Sequence, residues 1–132
     1  MELKIPSNVR KVKAASDTIL DSLNGKELDD GFLYDIRLAC EEAIINAIKY
    51  GNKSDDGKEV LINFEVRTDA IVISIEDQGE GFDYANLPDP RHVKNLLRTG
   101  GRGLFLIRKV MDEVEFNEKG NKITMTKYFA KT

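Results

Sequence analysis

Hydrophobic residues recur along the chain at two spacings, one typical of helices and one typical of strands. Helical spacing from Val9 to Leu23 predicts a first helix, with Ser7 as its N-cap and Gly25 as its stop. The same spacing predicts a second helix that follows an Asp-Asp-Gly turn and ends at Gly51. Its buried face carries Leu33, Ile36, Cys40, Ala43 and Ala47.

Strands are predicted where apolar residues alternate or cluster as β-branched runs. Residues 60–66 and 70–75 read as an antiparallel hairpin, residues 3–5 as a short first strand, and residues 114–116 and 123–129 as a closing pair. From Asp77 to about Gly100 the pattern breaks for more than about 20 residues, a length at which loops are usually functional lids or disordered.

A third helix over 101–113 completes the order β-α-α-β-β-lid-α-β-β. This order predicts one α+β domain over residues 1–132. We expect a two-layer α/β sandwich with a mixed, mainly antiparallel sheet and its helices on one face.

Composition and charge limit the kinds of partner and the cell compartment that we expect for this chain. The 132 residues include 20 basic and 23 acidic side chains, a net charge of −3, so the overall field offers no general attraction for nucleic acid or anionic membrane. The N-terminus lacks a secretory pattern, and no apolar run approaches the roughly 20 residues that span a bilayer. We therefore predict a cytoplasmic protein.

Two residue types that often carry chemistry occur once each. The single cysteine, Cys40, is expected to pack in the core, and the single histidine, His92, to be a loop residue.

The second helix carries the first candidate chemistry. At about 100° per residue, Glu42 and Asn46 share one stripe with Lys49 close by, whereas Glu41 points roughly 100° away from Glu42. A carboxylate one turn from an amide can supply a base and a metal-binding oxygen. A solvated glutamate on an amphipathic helix would show the same pattern.

Two glycine-containing segments are further candidates. In 77–81, an aspartate directly after a strand can accept a hydrogen bond from an exocyclic amine, although Asp-Gln-Gly is also an ordinary turn. In 100–104, glycines open a predicted helix, whose free N–H groups suit a polyphosphate. The segment would serve equally as a hinge, and it is neither a dinucleotide-binding fingerprint nor a P-loop.

Taken together and in this order, the three segments resemble the motifs of the GHKL ATPase superfamily, which unites gyrase, a heat-shock chaperone, histidine kinases and mismatch-repair ATPases. Residues 42–47 match the Glu-x-x-x-Asn-Ala N-box, 77–81 the Asp-x-Gly-x-Gly box and 101–104 the Gly-x-Gly-Leu box. Chain length, the lack of a dimerisation helix pair and the stretch 101–114 especially resemble stand-alone anti-sigma-factor serine/threonine kinases. The resemblance implies the Bergerat ATP-binding fold, with an ATP lid at about 82–100.

The resemblance also implies roles for single residues around ATP or ADP and Mg²⁺. Asn46 would hold the metal, Glu42 would be the general base, and Asp77 would bind the adenine amino group. The glycine boxes would contribute further nucleotide contacts through Gly79, Gly81, Gly101, Gly103 and Leu104.

Other positions are variable or ambiguous in this pattern. Asn121 stands where many relatives place a threonine that helps bind adenine, and Tyr50 stands where they place histidine before a packing glycine. Lys49 resembles a basic residue that approaches a phosphate. Arg98 and Arg102 are both candidates for a lid arginine on the γ-phosphate, and spacing does not choose between them.

The function that this resemblance implies is partner switching. An ATP-dependent anti-sigma factor binds a sigma factor and phosphorylates a Ser or Thr of a STAS-type anti-anti-sigma protein, commonly as a homodimer. One alternative is a nucleotide-gated binding module that regulates partners without kinase activity. A detached histidine-kinase catalytic domain is another, against which stands the lack of a phospho-accepting histidine region.

Overall fold

The computed structural model describes residues 1–79 and 101–130, and their secondary structure follows the predicted order. A 3₁₀ turn precedes the first helix, and a π-helical turn follows the second. The elements are β1 (Glu2–Pro6), the 3₁₀ turn (Val9–Lys11), α1 (Val12–Asp21), α2 (Asp30–Asn46), the π turn (Ala47–Gly51), β2 (Glu59–Val66), β3 (Ala70–Glu76), α3 (Gly101–Val110), β4 (Glu113–Phe116) and β5 (Lys122–Tyr128).

The strands form one sheet in the order β1-β2-β3-β5-β4, and each neighbouring pair is antiparallel. This confirms the predicted α+β class and the mainly antiparallel sheet. Side chains on one face form an apolar ladder across all five strands: Leu3, Ile62, Ile75, Ile123 and Phe116. The next row on the opposite face is polar: Glu2, Asn63, Ser74, Thr124 and Glu115. One face of the sheet therefore belongs to the core.

The helices cover the apolar face of the sheet. Ile36, Cys40 and Ile44 of α2 are fully buried, and Ile19 of α1 and Ile107 of α3 join the same core. The predicted packing role of Cys40 is confirmed. Because helices occupy one face and the other face stays partly exposed, the two-layer arrangement predicted from sequence is confirmed as well.

A polar cluster aligns α1 with α2. Arg37 donates to Oδ1 of Asp17 at 2.8 Å and to Oγ of Ser16 at 2.9 Å, and Ser16 donates in turn to Oε2 of Glu41 at 2.7 Å. Glu41 thus faces α1, on a different side of α2 from Glu42, as the helical spacing predicts.

A buried lysine fixes the C-terminal end of α3. Lys127 of β5 is only 5% exposed, and its ammonium donates to the carbonyl of Val110 at 2.6 Å. It also lies 3.5 Å from Oδ2 of Asp35 on α2 and over the ring of Phe32. A cation at the last carbonyls of a helix complements the helix dipole, so Lys127 joins α3, α2 and the sheet.

Several predicted helix boundaries differ from the structure. The third helix, predicted over 101–113, ends at Val110, and Glu113 is already the first residue of β4. Ser7 is not the N-cap of α1, because its N–H pairs with the carbonyl of Lys58 and so continues the β1–β2 ladder. Asn8 caps the 3₁₀ turn instead, accepting from the N–H of Arg10. The second helix reaches Gly51 as predicted, but its α-helical part ends at Asn46.

Within residues 1–79 and 101–130, no helix is long and apolar enough to cross a membrane.

The division between the two faces of the sheet gives a stability test. Ile73 is fully buried on β3, whereas its neighbour Val72 is half-buried on the opposite face. We expect Ile73→Ala to lower the free energy of unfolding by about 2–5 kcal/mol, because it leaves a cavity in the core. Val72→Ala is the matched control and should cost about 1 kcal/mol or less, within the range of strand propensity. Urea unfolding measures both, and equal losses would contradict the assignment of the buried face.

Candidate functional site

The first turn of α3 contacts the polar edge of α2. A Cβ atom placed on Gly103 would lie 2.8 Å from Nδ2 of Asn46 and 2.9 Å from Oε2 of Glu42, closer than real side chains pack. A side chain at this position would have to displace the ends of the Asn46 and Glu42 side chains. The contact brings Gly103 of one predicted motif segment to Glu42 and Asn46 of another.

The end of β3 contacts the end of the same helix. A Cβ atom on Gly51 would overlap the carboxyl carbon of Asp77 and lie 2.7 Å from its Oδ1. A Cβ atom on Gly79 would overlap the carbonyl oxygen of Gly51. The segments that begin at Asp77 and at Gly101 thus both reach the stretch from Glu42 to Gly51, and the three predicted motif segments converge.

The π turn lies between these two contacts. The N–H of Asn52 donates to the carbonyl of Ala47 at 2.8 Å, five residues back instead of four. Single π turns inside α-helices are frequent at functional sites. Ala47 and Ile48 stay buried in this turn, whereas Lys49 and Tyr50 are exposed.

The carboxylate of Asp77 is half-buried and partly satisfied by its own loop. Its Oδ1 accepts the N–H of Gly79 at 2.8 Å. Burial raises the pKa of Asp77 above its ordinary value, because a low-dielectric surrounding disfavours the charged form, and the bond from Gly79 partly opposes this shift. A carboxylate at the end of a strand with restricted access to water is suited to accept a hydrogen bond from a ligand amine.

The β4–β5 turn supports Asp77 from the sheet. The N–H of Asp77 donates to the carbonyl of Asn121, and Nδ2 of Asn121 donates to the carbonyl of Asp77, both at 2.9 Å. Oδ1 of Asn117 accepts from the N–H groups of Gly120, Asn121 and Lys122 and so closes the turn. Asn121 therefore contacts the backbone of Asp77, and its role toward a nucleotide stays a prediction.

The other predicted site residues lie in different surroundings. Gly101 begins α3, and the side chain of Leu104 is buried in the core. Lys49 is exposed. Gly81, His92, Arg98 and the predicted lid at 82–100 lie outside the described residues, as does the side chain of Arg102.

The donors at the α2–α3 contact suit a hard cation held mainly by a ligand. A carboxylate oxygen of Glu42 and the side-chain amide of Asn46 both lie against Gly103. In the part of the chain that the structure describes, no group of three His, Cys, Asp or Glu side chains has the arrangement of a metal site. Mg²⁺ commonly binds through one or two protein oxygens together with substrate phosphates and water, so this donor set fits it.

Sequence reasoning missed two residues that shape the site. Gly51 was interpreted as a packing position, but it is where the carboxyl group of Asp77 contacts the helix. Asn52 was not singled out, although it is fully buried. A polar amide directly after a helix-ending glycine is a weak signal, and only the structure shows its partners.

Comparison with known proteins agrees with this geometry. A family model described as "Histidine kinase-like ATPase domain" matches residues 5–127. The chain belongs to the histidine kinase-like ATPase family.

Individual proteins that are similar to the chain add detail to the family assignment. Proteins named "Serine-protein kinase RsbW" from Staphylococcus aureus strains MSSA476 and JH9 are 36% identical to the chain over 141 residues, which covers 99% of it and 87% of each relative. A crystal structure of the RsbU and RsbW domains of Rv1364c from Mycobacterium tuberculosis matches with a TM-score of 0.57 and 16% identity. That match covers 97% of this chain and 32% of the longer protein, so this chain spans about a third of the solved one. At 16% identity, the likeness supports the fold alone.

The contact between Gly51 and Asp77 can be tested by adding one methyl group. We expect Gly51→Ala to lower the free energy of unfolding by about 1–3 kcal/mol, because the new Cβ overlaps the Asp77 carboxyl group. Gly31→Ala in α2 is the matched control, since a Cβ there meets only Oδ1 of Asp29 at 3.5 Å and helix propensity favours alanine. Thermal or urea unfolding measures both variants. Equal stability of Gly51→Ala and the wild type would contradict the contact.

The raised pKa of Asp77 predicts a pH dependence with a definite sign. Because the folded pKa lies above the unfolded one, the folded state gains stability from protonated Asp77 at low pH and loses it as pH rises through the folded pKa. Asp77→Asn does not titrate. We expect the free energy of unfolding of the wild type, relative to Asp77→Asn, to fall as pH rises from about 3.5 toward neutrality. Urea unfolding without nucleotide at several pH values measures this, and a relative stability that increases with pH would contradict it.

Proposed function

We propose that this protein is an ATP-dependent anti-sigma factor that works by partner switching. It binds a sigma factor, and it phosphorylates a Ser or Thr hydroxyl of a STAS-type anti-anti-sigma protein. The single observation that carries the proposal is the contact of Gly103 with both Glu42 and Asn46, because it places a carboxylate and an amide at the glycine-containing start of a helix. The name of the relatives, "Serine-protein kinase RsbW", supports the choice of acceptor.

The proposed nucleotide site uses all three segments. Asp77 accepts a hydrogen bond from the amino group of adenine, and the backbone at Gly79 and Gly81 passes beside the base. The start of α3 at Gly101 and Gly103 faces the phosphates with its free N–H groups. Residues 82–100 act as the lid, and Lys49 together with Arg98 or Arg102 supplies positive charge toward the phosphates.

Asn46 holds Mg²⁺ in this proposal. The metal, when bound, neutralises charge on the phosphate oxygens during transfer. The amide of Asn46 is suited to the task because it lies at the α2–α3 contact, beside Glu42 and within reach of the first turn of α3.

Glu42 is the general base. Its carboxylate takes the proton of the acceptor hydroxyl as the hydroxyl oxygen bonds to the γ-phosphorus. The bond between the γ-phosphorus and the bridging oxygen breaks, the electron pair stays on that oxygen, and ADP leaves. The products are a phosphorylated Ser or Thr, ADP and a proton held by Glu42.

The proposal also covers the oligomeric state of the protein and the compartment in which it acts. We propose a homodimer that acts in the cytoplasm, where sigma factors are found. The net charge of −3 favours recognition of protein partners over direct contact with nucleic acid. Phosphorylation adds a doubly charged group to the antagonist, which weakens its complex with the kinase and leaves the kinase free to bind the sigma factor.

Two neighbouring glutamates on α2 provide a matched test. Incubation with Mg-ATP and the cognate anti-anti-sigma protein should add about 80 Da to that protein, measured by mass spectrometry. We expect Glu42→Gln to reduce the rate at least about 100-fold, the usual contribution of a general base. Glu41→Gln is the control and should keep the activity, because Glu41 faces Ser16 and Arg37 of the α1–α2 contact.

A thermal melt with Mg-ATP accompanies the kinase assay. Both glutamate variants and the wild type should melt at a higher temperature with the nucleotide, because ATP binds only the folded state. Full activity of Glu42→Gln would contradict its role as base. A raised melting temperature with an unchanged antagonist mass in the wild type would show the nucleotide-gated binding module instead.

A further inference from the structure

A fully buried amide lies directly beyond the candidate site. Asn52 follows the π turn and is 0% exposed. Its Oδ1 accepts the N–H of Gln78 at 2.7 Å. Its Nδ2 donates to Oγ of Ser7 at 2.9 Å and to the carbonyl of Glu59 at 3.0 Å. One side chain therefore joins the ends of β1, β2 and β3 to the end of the second helix.

The two residues that follow Asn52 adopt left-handed backbone conformations. Lys53 and Ser54, neither of them glycine, have φ angles of 52° and 57°. The N–H of Ser54 donates to the carbonyl of Ile48 at 2.7 Å and closes the helix end. Left-handed conformations of such residues persist where the surroundings over-determine them, and they cluster at functional sites.

Gln78 links this network to the site. It directly follows Asp77, and besides its bond to Asn52 it accepts the N–H of Glu59 through Oε1 at 2.6 Å. The backbone of Asp77 itself is bonded to Asn121 on the side of β5. The peptide that carries the Asp77 carboxylate is thus held between β5 on one side and Asn52 on the other.

We propose that Asn52 is a positioning residue for nucleobase selection, which holds the end of β3 against the second helix so that Asp77 meets the exocyclic amine of adenine. This inference rests on the proposed function. It assigns adenine recognition to a residue that does not touch the nucleotide and lies outside the three motif segments.

The chemistry of the amide explains why an asparagine is required. The position demands one acceptor, for Gln78, and two donated bonds, to Ser7 and to Glu59. An aspartate supplies no donor, and an apolar side chain removes all three bonds, although the hydroxyl of Ser7 keeps its bond to the carbonyl of Lys58. A displacement of Gln78 also moves Asp77, because the two residues share one peptide group, whose N–H bonds to Asn52 and whose carbonyl bonds to Asn121.

The test compares ATP with purine riboside triphosphate, which lacks the 6-amino group. The ratio of their dissociation constants isolates the bond to the amine, because phosphate and metal contacts cancel. We expect the wild type to prefer ATP by about tenfold or more, the effect of one hydrogen bond to a charged acceptor. Asp77→Ala should bring the ratio near unity, because alanine has no side-chain acceptor for the amine. Asn52→Ala should lower it at least about threefold while still binding both nucleotides.

Ser16→Ala is the matched control, because it also removes a buried side chain that makes several hydrogen bonds. Ser16 is 1% exposed and bonded to Glu41 and Arg37, away from Asp77. We expect this variant to lose stability and keep the wild-type ratio. If Asn52→Ala fails to fold, Asn52→Ser is measured with the same expectation, since serine is too short to reach Gln78.

The outcomes separate the inference from the function on which it rests. The positioning role is overturned if Asn52→Ala or Asn52→Ser keeps the wild-type ratio while Asp77→Ala loses it. That result leaves the kinase proposal intact. A wild type that binds neither nucleotide overturns the proposed function, and this inference with it.

Discussion

The candidate site depends on one steric constraint. Where α3 and the end of β3 approach the second helix, the residues at the contacts have no side chain. Gly103 leaves only a hydrogen atom between α3 and the side chains of Glu42 and Asn46. Gly51 does the same for the carboxyl group of Asp77. A side chain at Gly103 would displace the ends of the Glu42 and Asn46 side chains, and one at Gly51 would displace the Asp77 carboxyl group. These three groups are the proposed general base, metal ligand and adenine acceptor, roles that depend on accurate placement. The glycines therefore fix distances as much as they supply N–H groups.

The rest of the fold maintains these distances from outside the site. Lys127 fixes the far end of α3 through the carbonyl of Val110, so both ends of that helix are held, one by a buried cation and the other by the edge of α2. The Arg37 cluster fixes α2 against α1. Catalytic geometry built on helices and strands is more reproducible than geometry built on loops, because packing restricts each element in several directions.

Periodicity predicted the parts of the site that depend on direction along one element. The 3.6-residue period placed Glu42 and Asn46 on one stripe and directed Glu41 away from it, and the structure agrees on all three. That Glu41 faces α1 is shown only by the structure. It did not predict the π turn, because an extra residue in one turn leaves no mark on a short apolar pattern. It misplaced Ser7 as a cap, since pairing with Lys58 is a long-range contact that local sequence does not encode. Asn52 escaped notice for the same reason, because all the partners of its side chain come from other segments.

The buried thiol has a practical consequence for studying this molecule. Cys40 is the only cysteine in the sequence, and burial raises its pKa to about 12, so almost none of it is thiolate at neutral pH. Only the thiolate reacts readily with maleimides or disulfide reagents. A cysteine introduced on the surface would accept a fluorophore or spin label selectively in the folded protein, with no need to remove the native one. Reactivity of Cys40 itself would then report opening of the core between α2 and the sheet.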